Sequence, residues 1–96
     1  MKDGRHLSIA GRVQGVAYRW FTSRQAEALG VLGTVRNLPD GRVEALVVAE
    51  TVTIEQLLDR LRQGPPMARV DSIEQTPLDE ATRRRIEASG RFEILR

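Results

Sequence analysis

Pro39-Asp40-Gly41 stands between two runs that favour extended backbone, Val31 to Leu38 and Arg42 to Ala49. Proline presets φ for a turn and glycine accepts a positive φ, so the two runs read as a hairpin. Beyond it the period changes. In Thr53 to Gln63, Ile54, Leu57, Leu58 and Leu61 recur at i, i+3, i+4 and i+7, the spacing of one helical face. Gly64-Pro65-Pro66 then stops the helix. Before the hairpin, a second helix is expected over Phe21 to Leu29, with Gly30 as its stop. A hairpin flanked by helices leaves few topologies, because each helix must cross over to a further strand.

The outer sequence supplies those strands. From Arg5 to Val13, the residues Leu7, Ile9, Gly11 and Val13 alternate with His6, Ser8, Ala10 and Arg12. Gly11 inside that strand marks a bulge or a close backbone approach. Arg69 to Gln75 forms the strand after the second helix. The order is then β-α-β-β-α-β, the split βαβ or ferredoxin-like pattern of the α+β class. It implies an antiparallel sheet with two helices on one face. Arg91 to Arg96, with Phe92 and Ile94 on one side, adds a short C-terminal edge strand. Capping-box spacings, Thr22 with Gln25 and Thr53 with Gln56, are expected at the helix starts. Thr76 to Gly90 is polar and carries Arg83-Arg84-Arg85, so it reads as a loop with room for a helical turn.

Composition bounds the chemistry. The 96 residues suit a single domain over 1–96. The absence of cysteine excludes disulfides and thiolate metal sites and suits the cytoplasm. One histidine, His6, excludes a multi-histidine metal centre. No apolar run approaches the roughly 20 residues that span a bilayer, and no apolar segment behind the N-terminus marks a signal peptide. Fifteen basic residues against thirteen acidic ones leave a net charge of +2. That near-balance argues against a dedicated nucleic-acid surface and permits a local site for a small anion.

The stretch Gly11-Arg12-Val13-Gln14-Gly15-Val16-Ala17-Tyr18-Arg19 leads from a strand into a helix. Successive N–H groups in such a turn form an anion-binding concavity, which the helix N-terminus reinforces. Arg19 adds a planar donor fork matched to phosphate oxygens. Residue types alone also allow a tight turn with a surface arginine. No Gly-Lys-Ser/Thr follows, and Gly11 and Gly15 do not make Gly-x-Gly-x-x-Gly, so neither a Walker loop nor a dinucleotide fingerprint is present. In the ferredoxin-like topology the first two strands run the same way. Arg19 and Asn37 therefore fall at one edge of the sheet. Asn37 reads either as turn chemistry or as an amide that holds a water beside a substrate.

The loop motif, then Leu29-Gly30-Val31, Gly33-Thr34-Val35-Arg36-Asn37, Asp40-Gly41-Arg42-Val43-Glu44 and Gly64-Pro65-Pro66-Met67-Ala68-Arg69-Val70, resembles the acylphosphatase family in order and spacing. The closing Phe92-Glu93-Ile94 also fits. Ala17 and Thr51 depart from the usual residues, and Thr51 leaves the entry to the second helix less defined. The resemblance implies metal-free, cofactor-free hydrolysis of the carboxyl–phosphate bond. It makes Arg19 the phosphate-binding arginine and Asn37 the residue that orients the attacking water. Gln14, Gly15, Val16, Ala17 and Tyr18 become the cradle whose N–H groups hold the phosphoryl oxygens. The implied partners are a small acyl phosphate and inorganic phosphate, with no nucleic acid and no membrane, on a monomer.

Competing readings are an RNA-binding domain of the same topology, an acylphosphatase-like module of a carbamoyl-transferring maturation protein, and an idle binding domain. An RNA-binding sheet needs stacked aromatics, whereas the first and third strands offer Leu7, Ile9, Val43 and Val47. The short chain favours a free enzyme over a module, and retention of both Arg19 and Asn37 disfavours an idle domain. His6, upstream on the first strand, reads as a solvated strand residue rather than a base.

Overall fold

The structure, a computed structural model, describes residues 2–96. In chain order its elements are β1 (Lys2–Arg12), α1 (Tyr18–Leu29), β2 (Leu32–Asn37), β3 (Val43–Glu50), α2 (Thr51–Gln63), β4 (Arg69–Pro77), α3 (Glu80–Ser89) and β5 (Phe92–Ile94). The sheet order is β4-β1-β3-β2-β5. Pairs β1–β3, β1–β4 and β2–β3 are antiparallel, which is the ferredoxin-like βαββαβ arrangement expected. The edge strand β5 joins β2 in parallel and makes the sheet mixed. Because β1 and β2 both oppose β3, they run the same way and their C-terminal ends leave the sheet together.

Period-two alternation sets the two faces. Leu7, Ile9, Val35, Val43, Ala45 and Val47 are buried against Tyr18 and Ala26 of α1 and the Ile54, Leu57, Leu58 and Leu61 stripe of α2. Leu7, Ile9, Val43 and Val47 therefore face the core, not an open surface. The opposite face of β1 and β3 carries His6, Ser8, Glu44 and Leu46, and no Phe, Tyr or Trp that could stack a base. Gly11 meets both of its expectations. The β1–β4 register shifts between Ala10 and Gly11. Gly11 has φ +132°, and a Cβ there would stand 2.1 Å from the Arg69 carbonyl oxygen.

Three local expectations are corrected. Helix α1 begins at Tyr18 rather than Phe21, and Thr22 is not its cap. Thr22 is buried inside the helix and its Oγ1 donates to the Tyr18 carbonyl at 2.9 Å. Helix α2 begins at Thr51, directly out of β3, with Glu50 as N-cap and no capping side chain from Thr53. An i, i+3 pair is also same-face spacing within a helix, so the capping-box pattern arises inside helices as readily as at their ends.

The third correction concerns Thr76 to Gly90, which is not a loop. Pro77 ends β4 and Asp79 caps α3, its Oδ1 accepting from Thr82 N–H at 2.7 Å. That bond holds the Asp79 carboxyl below the usual carboxylate range. Arg84 reaches back to Glu80, Arg83 pairs with Glu87, and Gly90 closes the helix in the left-handed conformation. Helix α3 packs on β2 and β3, across the face away from α1 and α2. Ile86 and Val48 are buried there, outside the main core.

Candidate active site

The loop from Val13 to Ala17 joins β1 to α1. Two of its residues have left-handed backbone, Gly15 at φ +74° and Ala17 at φ +62°. For alanine that conformation costs about 1–2 kcal/mol. Ala17 is also the N-cap of α1, and its methyl group accepts no hydrogen bond. The first helical bond runs from Phe21 N–H to the Ala17 carbonyl at 3.0 Å. The N–H groups of Tyr18 and Arg19 in the first turn are thus uncapped. Among the described residues, those of Gly15, Val16 and Ala17 also find no protein acceptor. A run of backbone donors without acceptors at a helix N-terminus has the chemistry of an anion cradle.

Arg19 sharpens that polarity. Its guanidinium lies in the first turn of α1, where no acidic side chain offsets the positive end of the helix dipole. Among the described residues no carboxylate lies within 4 Å of it, and its Nη1 donates instead to the Leu95 carbonyl at 3.1 Å. Leu95 is itself held by its N–H, which donates to the Val35 carbonyl of β2 at 2.8 Å. The segment after β5 therefore fixes the arginine relative to the strand that ends in Asn37. The Oδ1 of Asn37 is buried and no protein donor reaches it.

Two side chains hold the loop in place. Gln14 Nε2 donates to the carbonyls of Leu38 at 2.8 Å and Arg42 at 2.9 Å, tying the loop to the β2–β3 turn. The Tyr18 ring is buried, and its hydroxyl donates to the Leu61 carbonyl of α2 at 2.7 Å. Burial pushes the Tyr18 pKa upward, so the phenol stays neutral.

Gly15, Ala17, Tyr18, Arg19 and Asn37 line one pocket of about 220 Å³. That is smaller than the roughly 300 Å³ at which drug-sized ligand sites begin. The topology thus brings together the loop and the distant asparagine, as expected. Gln14 and Val16 do not line the pocket. The Gln14 amide faces the β2–β3 turn, and Val16 packs partly against the core. Trp20 and Ile94 line it and were not anticipated, and neither was the Leu95 carbonyl. The alternation that carries Ile94 marks a strand rather than a pocket, and an exposed tryptophan or a backbone acceptor leaves no periodic signal in a sequence.

His6 lies elsewhere. Its Nε2 stands 2.9 Å from Glu44 Oε2 on the face turned away from α1 and α2, and Arg36 Nε donates to the other Glu44 oxygen at 2.7 Å. Burial raises the Glu44 pKa, but the Arg36 and His6 hydrogen bonds outweigh it and hold the carboxyl below its ordinary range. Among the described residues no three His, Cys, Asp or Glu side chains converge as metal ligands. No helix among them is long and apolar enough to cross a membrane.

Comparison with known proteins decides the family. A family model described as Acylphosphatase matches residues 5–94. The chain belongs to the acylphosphatase family. An acylphosphatase of Thermococcus kodakarensis is 55% identical over 72% of this chain and 76% of the relative. One from Acaryochloris marina is 46% identical over 92% of this chain and 88% of the relative. The solved structure of an acylphosphatase from Coxiella burnetii superposes with a TM-score of 0.85 at 30% identity, covering 98% of this chain and 93% of that one. The family and the relatives alike support hydrolase activity, the conversion of acyl phosphates to a carboxylate and inorganic phosphate.

Proposed function

We propose that the reaction runs in the pocket between the β1–α1 loop and the end of β2, with Arg19 and Asn37 as its catalytic residues. The supporting observation is the convergence there of backbone donors without protein acceptors, an arginine free of carboxylates and a buried amide oxygen. The N–H groups of the 14–18 cradle and the Arg19 guanidinium bind the phosphoryl oxygens. Asn37 Oδ1 accepts a hydrogen bond from the attacking water and aims it at phosphorus. The water oxygen bonds to phosphorus while the bond from phosphorus to the carboxyl oxygen breaks. Its electron pair leaves on the carboxylate, and a phosphoryl oxygen takes the water's proton. With so good a leaving group, the protein supplies mainly position and charge. Metal plays no part in this scheme, and the chain works as a cytoplasmic monomer on free acyl phosphates.

Phosphate release from acetyl and benzoyl phosphate, measured with excess EDTA, tests the scheme. Turnover should persist. Arg19→Ala should lower kcat/KM by about 10³ or more, the worth of an arginine on a transferring phosphoryl group. Asn37→Ala should lower kcat while the inhibition constant of inorganic phosphate changes little. Wild-type rates in Arg19→Ala, or activity that returns only with added metal, would overturn the assignment.

A further inference from the structure

We propose that Trp20 and Ile94 form an apolar shelf for the acyl group, so that the enzyme selects acyl phosphates whose acyl part is aromatic or branched and apolar. The inference rests on the placement of phosphate proposed above and adds the substrate class to it. Trp20 follows Arg19 in the first turn of α1 and is 59% exposed, the bulkiest of the large apolar side chains left in solvent. Ile94 is 42% exposed at the end of β5. Neither belongs to the hydrophobic core.

Both nevertheless line the pocket that holds Arg19 and Asn37. Their placement follows from the fold. Phe92 is buried in the core, so period two turns Ile94 to the same face of the sheet, and the register pairs it with Val35, two positions before Asn37 on β2. Trp20 lines the same pocket from α1, which packs against β5. The Arg24 guanidinium lies 5.4 Å from the Trp20 ring centroid, a cation–π contact that restricts the indole.

An acyl phosphate is bipolar. Its phosphoryl oxygens need the donors at the bottom of the loop, so its acyl carbon skeleton must point out of the cradle. The walls it then meets are the indole and the isoleucine. An acetyl group is too short to cover them, whereas a benzoyl ring can lie on the shelf and remove apolar surface from water.

The test compares kcat/KM for benzoyl and acetyl phosphate in the wild type and in Trp20→Ala, Trp20→Phe and Ile94→Asn, with inorganic phosphate inhibition as the readout of the cradle. Both positions are solvent-exposed, so the variants fold. The benzoyl-to-acetyl ratio should fall about tenfold in Trp20→Ala, the low end for an apolar pocket contact because the shelf is open. Trp20→Phe should recover most of it, and Ile94→Asn should lower it by a smaller factor. An unchanged ratio in Trp20→Ala overturns the shelf. So does an equal fall for both substrates accompanied by weaker phosphate inhibition, which assigns Trp20 to the helix end instead. A wild type that turns over neither substrate defeats the proposed function as well, and a wild type active on both with an unmoved ratio defeats the shelf alone.

Discussion

Tyr18→Phe removes one oxygen atom, yet it should be among the more damaging conservative changes in the chain. The reason lies in the last turn of α2. The helical partner of the Leu61 carbonyl would be the N–H four residues on, but position 65 is proline and has none. The Gly64 N–H is taken by Arg60 at 3.0 Å. The Tyr18 hydroxyl fills the gap at 2.7 Å, between two residues that are 1% and 0% exposed. Phenylalanine keeps the ring packing and leaves a buried acceptor unpaired, at about 1–3 kcal/mol. For a domain of this size, about 2 kcal/mol corresponds to a drop in Tm of roughly 8–16 °C. Urea denaturation should show a lower midpoint with an unchanged slope. The proposed cradle uses the Tyr18 N–H and not its side chain, so activity per folded molecule should fall far less than in Arg19→Ala. A loss of stability under about 0.5 kcal/mol would mean that the carbonyl has another donor, and the argument would fail. The same hydroxyl makes a pH prediction. Burial raises its native pKa above the ordinary 10.0, so the unfolded chain loses this proton first. Stability is then intact below pH 10.0 and declines as pH rises above it, and Tyr18→Phe should abolish that decline. Tyr18 is the only tyrosine, so phenolate absorbance reads it directly.

Three further outcomes are expected. At Gly33, φ is +149° and a Cβ would lie 1.7 Å from the Leu46 carbonyl oxygen, whereas at Gly30 nothing lies within 4 Å. Gly33→Ala should therefore destabilise by about 3 kcal/mol or more and Gly30→Ala by about 1, as read from denaturation midpoints. Gln14→Ala deletes both donors to the β2–β3 turn and should cost about 1–2 kcal/mol while weakening inhibition by inorganic phosphate, because the loop is no longer tied to the strand bearing Asn37. Glu44 has a native pKa held below that of the unfolded chain, so its contribution is present above the unfolded value and fades as pH falls through the native one. Glu44→Gln should flatten that part of the acid denaturation curve and leave phosphate inhibition at neutral pH unchanged, and an unaltered acid limb would show that the Arg36–Glu44–His6 cluster contributes nothing.

The parts of the fold legible in the sequence are those where one signal dominates. Pro39-Asp40-Gly41 places the hairpin, the Ile54 to Leu61 stripe places α2, and together they settle the topology. The misread parts are those where two signals share a spacing or none is strong. Thr22 and Gln25 have cap spacing but lie inside α1, because the true N-cap is an alanine that caps nothing. Helix α3 buries only Ile86 and so has no apolar period to detect. Its evidence is local instead, in the Asp79 cap, the i, i+4 ion pairs and Gly90.

The start of α1 explains why the candidate site is only partly legible in the sequence. An ordinary helix start carries a capping side chain, acidic residues in its first turn and right-handed loop residues before it. Here the cap position holds left-handed Ala17, the first turn holds Arg19 with no acid, and the loop donors have no protein acceptors. Each departure costs stability on its own: about 1–2 kcal/mol for the backbone at Ala17 and some tenths for the cation at the helix end. Propensity rules read these as errors and so shift the helix start to Phe21. One bound dianion would satisfy the donors and neutralise the charge together. Asn37 Oδ1 departs from the rules in the opposite sense, as an acceptor needing a donor. Donors for an oxyanion and an acceptor for a water O–H, left open in the same pocket, match the two components of a phosphoryl hydrolysis. The local inconsistencies of the chain thus collect where the chemistry would relieve them.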